Sequence, residues 1–241
     1  MGLKSILSAL NRGGQSVVVV GTAVVACGTI IAVLTISGIG QVVAYNIVYL
    51  SHNILLLALI FIMTASIILS MGMPGTAIYI IVATVCAPAL IRMGVLPIAA
   101  HFFCFYFGSL SNLTPPIALA SYAAAAISGA SLSKVAWTGL RLVLPAFIVP
   151  YVFVYSPMLL SQNIKFPGFL ILLLTTFLAV WSFSLAERGY YNRKLNYYQR
   201  ILFLFTSIFL INTNYLVSII GLFGLIILLI LNRKKEHKGI I

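Results

Sequence analysis

Acidic side chains are almost absent from this chain. Of 241 residues only Glu187 and Glu236 carry a carboxylate, and charged residues of either sign make up 7%. Both glutamates lie in basic runs beside apolar segments, where solvation or ion pairing accounts for them. No pair of acidic groups is therefore available for general acid–base work, and no carboxylate cage for Ca²⁺ or Mg²⁺. Cysteine is nearly as scarce. Cys27, Cys86 and Cys104 stand inside apolar segments without CxxC spacing, which points to packing rather than to a disulfide framework or a zinc site. The three histidines are His52, His101 and His237. His101 sits within an apolar run, where it is either a hydrogen-bonded structural residue or a proton relay. With no acid–base pair or nucleophile constellation in any one segment, an enzyme is not expected.

What the chain has in excess is apolar length. Hydrophobic residues reach 62% and the mean hydropathy is +1.17, more than a soluble domain can carry without large exposed apolar patches. No Asp, Glu, Lys or Arg occurs between Arg12 and Arg92, nor from Met93 to Ser133. The solvent is a lipid bilayer. At about 20 residues per crossing, the chain has room for roughly eight crossings or membrane-embedded segments. The net charge of +12 comes from short basic runs between these segments, which is a pattern of topology and not of nucleic-acid binding.

Read in order, Val17 to Ile36 is the first expected span, ended at Ser37-Gly38-Ile39-Gly40, with Gln41 to Ser51 as a short interfacial helix. Asn53 to Ser70 and Thr76 to Ile91 are two apolar arms joined by Met71-Gly72-Met73-Pro74-Gly75. Each is slightly short for a crossing, so two spans and a re-entrant hairpin both fit. Pro97 to Gly108 and Ile117 to Ile127 flank a break, Ser109-Leu110-Ser111-Asn112-Leu113-Thr114-Pro115-Pro116, where two prolines remove backbone donors. Further spans are expected over Leu140 to Leu160, Phe166 to Leu185, Ile201 to Ile211 and Tyr215 to Leu231. Threading from a cytoplasmic N-terminus places Lys4, Arg12, Lys134, Arg141, Arg188, Arg193, Lys194, Arg200, Arg233, Lys234, Lys235 and Lys238 inside, against Arg92 and Lys165 outside. That asymmetry supports the parity of the map, with both termini cytoplasmic.

Irregular backbone at membrane depth is tolerated where protein or a water-filled cavity satisfies it. The tip Gly72 to Thr76 and the break Ser109 to Pro116 are the two such places. One reading makes them a surface turn and a packed, kinked helix. The other makes them an ion and substrate site: Ser111, Asn112 and Thr114 set oxygen-bearing side chains beside backbone that proline has freed, which suits a hard monovalent cation such as Na⁺. Ser121 lies in the small-residue run Ala118 to Ala126, which permits close helix approach and also admits a pathway-lining role. Arg141 is read as snorkelling to an interface.

The stretch SMGMPGTAIYIIVATVCAPALIRMGVLPIAAHFFCFYFGSLSNLTPPIALASYAAAAISGA, Ser70 to Ala130, and WTGLRLVLPAFIVPYVFVYSPMLL, Trp137 to Leu160, resemble the membrane component of tripartite ATP-independent periplasmic (TRAP) transporters, especially the fused form that works with TAXI-type binding proteins. The run AERGYYNRKLNYYQR is similar to that form's extra C-terminal spans. The resemblance implies an all-α polytopic protein of the prokaryotic cytoplasmic (inner) membrane. It implies an elevator-type fold in which this chain is one inverted-repeat half, with a re-entrant hairpin over 53–91, a broken helix over 97–127 and a span over 140–160. Residues 1–160 then form the second transport repeat, and 161–241 the C-terminal spans with a basic cytoplasmic tail.

In function, the resemblance implies Na⁺-coupled import of a small organic anion, C4-dicarboxylate-like, delivered by an extracytoplasmic binding protein. Substrate contacts map to Met73, Pro74, Gly75, Pro115, Pro116 and Ser121, and Na⁺ ligands to Gly72, Thr76, Ser109, Ser111, Asn112 and Thr114. No cofactor beyond the coupling ion is implied. Members of that family also carry a first repeat and small-subunit segments, which are expected as companions of this chain. The alternative is a truncated, non-transporting remnant or scaffold.

Overall fold

The computed structural model describes residues 2–73, 75–161, 166–212 and 214–233. Pro74, Lys165 and the basic tail 234–241 lie outside the described residues, as do the side chains of Cys27, Thr76 and Arg233. Apart from one two-residue β pairing, every regular element among the described residues is helical. The chain divides into two compact units, Met1–Ala120 and Ser121–Ile241.

The first unit contains α1 (Leu3–Ser37), α2 (Ile39–Leu50), α3 (Leu55–Leu69), α4 (Gly75–Arg92) and α5 (Pro97–Leu110), and ends in the first residues of α6 (Leu119–Ser128). Gly38, at φ +67°, ends α1 in the left-handed conformation that glycine adopts without a Cβ penalty. This is the break the sequence suggests. At its other end α1 begins well before the expected Val17, because the segment Leu3 to Arg12 is rich in the good helix formers Leu, Ala, Lys and Arg and no proline interrupts it.

α2 packs on α4, burying Gly40, Ala44 and Ile47. A Cβ on Gly40 would stand 3.1 Å from the Thr84 carbonyl oxygen, so the absence of a side chain sets how near the two helices come. Arg92 hydrogen-bonds Gln41 at the same contact.

The arms α3 and α4 pack on each other and α5 packs on both. Their 15 and 18 residues rise about 22 and 27 Å, short of a hydrocarbon core of about 30 Å. Ala58, Leu59, Ile62, Ile78, Val82, Leu90, Phe103 and Phe107 are fully buried there. Cys86 and Cys104 are buried in the same core, as expected of packing cysteines.

The second unit holds most of α6, then α7 (Leu132–Val143), a 3-10 turn over Leu144–Phe147, α8 (Ile148–Tyr155), a second 3-10 turn over Pro157–Leu160, α9 (Phe166–Arg188), β1 (Tyr190–Tyr191), β2 (Arg193–Lys194), α10 (Tyr197–Ile211) and α11 (Tyr215–Arg233). Where a span is expected over Leu140 to Leu160, the helical stretch runs over Leu132–Tyr155, followed by the 3-10 turn over Pro157–Leu160. Lys134 and Arg141 do not stop it, since both are exposed on α7, and Pro145 enters at the first turn of the 3-10 segment, where its missing N–H costs little.

Leu132–Tyr155 and Phe166–Arg188 are, among the described residues, the two helical stretches long and apolar enough to cross a bilayer unaided. α10 packs between α9 and α11. Their interface is tied by hydroxyls: Ser182 Oγ donates to the Phe203 carbonyl at 2.8 Å and lies 2.7 Å from Thr206 Oγ1, while Ser207 Oγ donates to the Ala179 carbonyl at 2.9 Å. Outward, Phe177, Leu216, Ile220 and Phe223 are each more than 60% exposed, an apolar surface that water would not tolerate and lipid does.

Candidate functional site

The hairpin tip and the helix break, 41 residues apart in sequence at their contact, meet in the first unit. At the end of α3, Ser70 Oγ donates back to the Ser66 carbonyl, and the chain turns through Met71, Gly72 and Met73, with the Met73 N–H donating to the Ser70 carbonyl at 3.3 Å. Gly72 takes φ +77°, and a Cβ there would stand 3.6 Å from Ile117 Cδ1. The tip therefore lies against the residue that follows Pro115 and Pro116. Ser111 Oγ, buried at the start of the break, donates to the Ser70 carbonyl at 3.2 Å. One hydroxyl thus links the two irregular segments directly.

The break is a run of tight turns. The N–H groups of Ser111, Asn112, Leu113 and Thr114 donate to the carbonyls three residues earlier, at 2.9–3.3 Å. Thr114 is buried and its Oγ1 donates to the Ser111 carbonyl at 3.3 Å. Pro115 and Pro116, joined by a cis peptide bond, then stop the helix, and the chain recovers through Ala118. That residue is fully buried at φ +41°, a left-handed conformation unusual for a side chain with a Cβ and of the kind that collects at functional sites. The Ala120 N–H closes the break by donating to the Asn112 carbonyl at 3.0 Å.

Gly72, Met73, Gly75, Ser109, Ser111, Asn112, Thr114, Pro115 and Pro116 all fall within the first unit, as does the backbone of Thr76 in the first turn of α4. Met73 is partly buried against Ala77 and Ile81. Ser121 belongs to the second unit, where it is buried on α6.

Residues 1–168 match the family model of the tripartite ATP-independent periplasmic transporter, DctM component. The chain belongs to the DctM family. No curated protein and no solved structure matched it. DctM is a transporter family rather than an enzyme family. Membership makes this chain part of the inner-membrane permease of a TRAP system, which associates with a small membrane subunit and a periplasmic binding protein. The matched range covers the whole hairpin and break and stops at the start of α9, so most of α9 and all of α10 and α11 lie beyond it.

Three contributors to the site escaped the sequence reading. Ser70 precedes the tip and is marked in sequence only by its position, yet its carbonyl receives the Ser111 hydroxyl. Gly108 lets α5 approach both arms: a Cβ there would stand 2.6 Å from Ile78 Cγ2 and 2.9 Å from Ser70 Oγ. It is the one glycine in an otherwise bulky run, and that contrast was the available signal. Tyr79 is the third, its hydroxyl 3.3 Å from His101 Nδ1, which fits a hydrogen-bonded structural role for His101. These two line an open groove of about 620 Å³ with Gly75, Pro97, Ile98, Phe102 and Phe105. Phe103 and Phe107 turn the other way and pack edge to face at 4.9 Å in the core.

Proposed function

We propose that this DctM chain supplies one half of a Na⁺-coupled transport site, and that the tip over Gly72 to Thr76 and the break over Ser109 to Pro116 together hold the ion and one side of the substrate. The observation that carries this reading is the Ser111 hydroxyl seated on the Ser70 carbonyl. A hydroxyl whose proton is taken by a carbonyl presents only lone pairs elsewhere. The same holds for Thr114, whose proton goes to the Ser111 carbonyl. Asn112 is partly exposed and its backbone carbonyl is engaged by Ala120, which leaves its side-chain amide oxygen for a ligand.

Neutral oxygens without a carboxylate favour a monovalent hard cation over Ca²⁺ or Mg²⁺. A bound Na⁺ would in turn favour an anionic substrate beside it, at Met73, Pro74, Gly75, Pro115 and Pro116. We read the arms as a re-entrant hairpin, α5 and α6 as one broken helix, and the whole as an inverted-repeat half of an elevator-type fold, in keeping with arms shorter than a bilayer core. A TAXI-type binding protein, a small organic anion substrate and cytoplasmic termini complete the proposal.

The test uses a complete reconstituted TRAP assembly carrying this chain. Asn112→Ala and Thr114→Ala are each expected to raise the Na⁺ concentration for half-maximal uptake about tenfold, the loss of roughly 1.4 kcal/mol expected of one good ligand, with insertion and yield unchanged. Unaltered Na⁺ activation in both variants would remove these residues from the ion site.

A further inference from the structure

One end of the second unit collects cations and tyrosines. There α9 ends at Arg188, the β1–β2 turn follows, α10 begins at Tyr197 and α11 ends at Arg233. The turn is fixed in place. Gly189 and Asn192 adopt φ +65° and +55°, and the Leu195 N–H donates to the Gly189 carbonyl at 2.8 Å. Arg193 Nε donates to Asn232 Oδ1 at 3.0 Å, which ties the turn to the end of α11.

Arg200 lies across Gly189 and donates to the Ala186 and Glu187 carbonyls at 2.7 and 2.8 Å. It caps α9, so its charge is spent on the helix terminus. The opposite end of the helix trio carries Asn212, Asn214 and Ser218, each bonded to nearby backbone, with no cation among the described residues.

Around the fixed turn, Arg188 and Lys194 are exposed, and the terminal N–H groups of Arg193 remain beyond its bond through Nε. Tyr190, Tyr197 and Tyr198 are 60%, 73% and 79% exposed. The described residues hold one carboxylate side chain, Glu187, so the patch is net positive. Exposed tyrosines around a basic cluster at the end of apolar helices match the depth at which headgroups meet acyl chains.

We propose that this end is a binding site for an anionic phospholipid, with the Arg188, Arg193 and Lys194 cations holding the phosphate and Tyr190, Tyr197 and Tyr198 lying along the glycerol and upper acyl region. A guanidinium fork suits a phosphate oxygen pair, and an ammonium adds charge without directional demand. The site lies outside the range that matches the DctM family model and does not depend on transport.

Native mass spectrometry of the full chain in detergent, with phosphatidylglycerol or phosphatidylcholine of the same acyl chains added, tests it. Phosphatidylglycerol should be retained at least about fivefold more than phosphatidylcholine. The double substitution Arg188→Gln with Lys194→Gln should lower that retention roughly tenfold or more, given the usual worth of each basic residue near an anionic lipid. The conservative pair Arg188→Lys with Lys194→Arg should retain it. Both side chains are exposed, and circular dichroism of each variant checks that the helices persist. Equal retention of the two lipids, or no loss in the Gln variant, would overturn the proposal. So would displacement of phosphatidylglycerol by millimolar inorganic phosphate, which would make the site a free-phosphate site.

Discussion

Gly108→Ala is expected to destabilise the first unit by about 2 kcal/mol, although alanine is the better helix former. In an open helix position the same exchange gains up to about 1 kcal/mol. At Gly108 the added methyl would stand 2.6 Å from Ile78 Cγ2, 2.9 Å from Ser70 Oγ and 3.7 Å from Val82 Cγ2. Ile78, Val82 and Ser70 are fully buried, so none can swing into open space, and α5 must move away from both arms. Overpacking of this kind typically costs 1–3 kcal/mol.

Displacing Ser70 also displaces the carbonyl that receives Ser111, so the proposed ion site should loosen together with the fold. The measurement is thermal unfolding in detergent, with Gly28→Ala as the control, since nothing lies within 4 Å of a Cβ at that α1 position. A lowered midpoint for Gly108→Ala beside an unchanged or raised one for Gly28→Ala is the expected pair of results. Equal midpoints would show that α5 does not pack on the arms as described.

Gly221→Ala is expected to cost more, about 3 kcal/mol, because the obstacle there is backbone. Its Cβ would meet Leu210 N at 2.9 Å and Phe209 C at 3.1 Å, atoms that no rotamer change relieves. α10 and α11 would have to separate, opening the packing of Leu210 and Leu225, each 1% exposed. Gly224, one turn on, has the same constraint in milder form, with Thr206 Cγ2 3.0 Å from its Cβ position. Small residues at such crossings let apolar helices approach where no hydrophobic force between them operates. Unfolding of the second unit, followed by the fluorescence of Trp137 and Trp181, which both lie in it, should shift to clearly lower denaturant than in the parent chain. An unchanged transition would contradict the close α10–α11 approach.

How much of this could be read in advance differs from element to element, for physical reasons. The breaks at Gly38 and at Pro115-Pro116 were legible because glycine and proline act on the backbone locally, whatever surrounds them. The arms and their tip were legible from length and composition. The span was expected from Leu140, whereas helix already begins at Leu132; Lys134 and Arg141 are exposed on α7, one near each end of it, and charged side chains that reach outward are compatible with continued helix. The two-residue pairing of Tyr190–Tyr191 with Arg193–Lys194 is too short to leave any periodicity.

In the site, residue types pointed to the break, but the Ser70–Ser111 link and the packing of Gly72 on Ile117 join segments far apart in sequence, and no local pattern encodes a partner. The polar fixing of α9 on α10 by Ser182, Thr206 and Ser207 was hidden for the same reason.

The central claim is that this DctM chain completes a Na⁺-coupled permease with companions. Uptake into proteoliposomes tests it most directly, with this chain alone, then with the small membrane subunit, then with a cognate binding protein as well. The account expects Na⁺-dependent uptake of an organic anion only when all companions are present. Correct insertion with no uptake in any combination, over a tested range of organic anions, would contradict it.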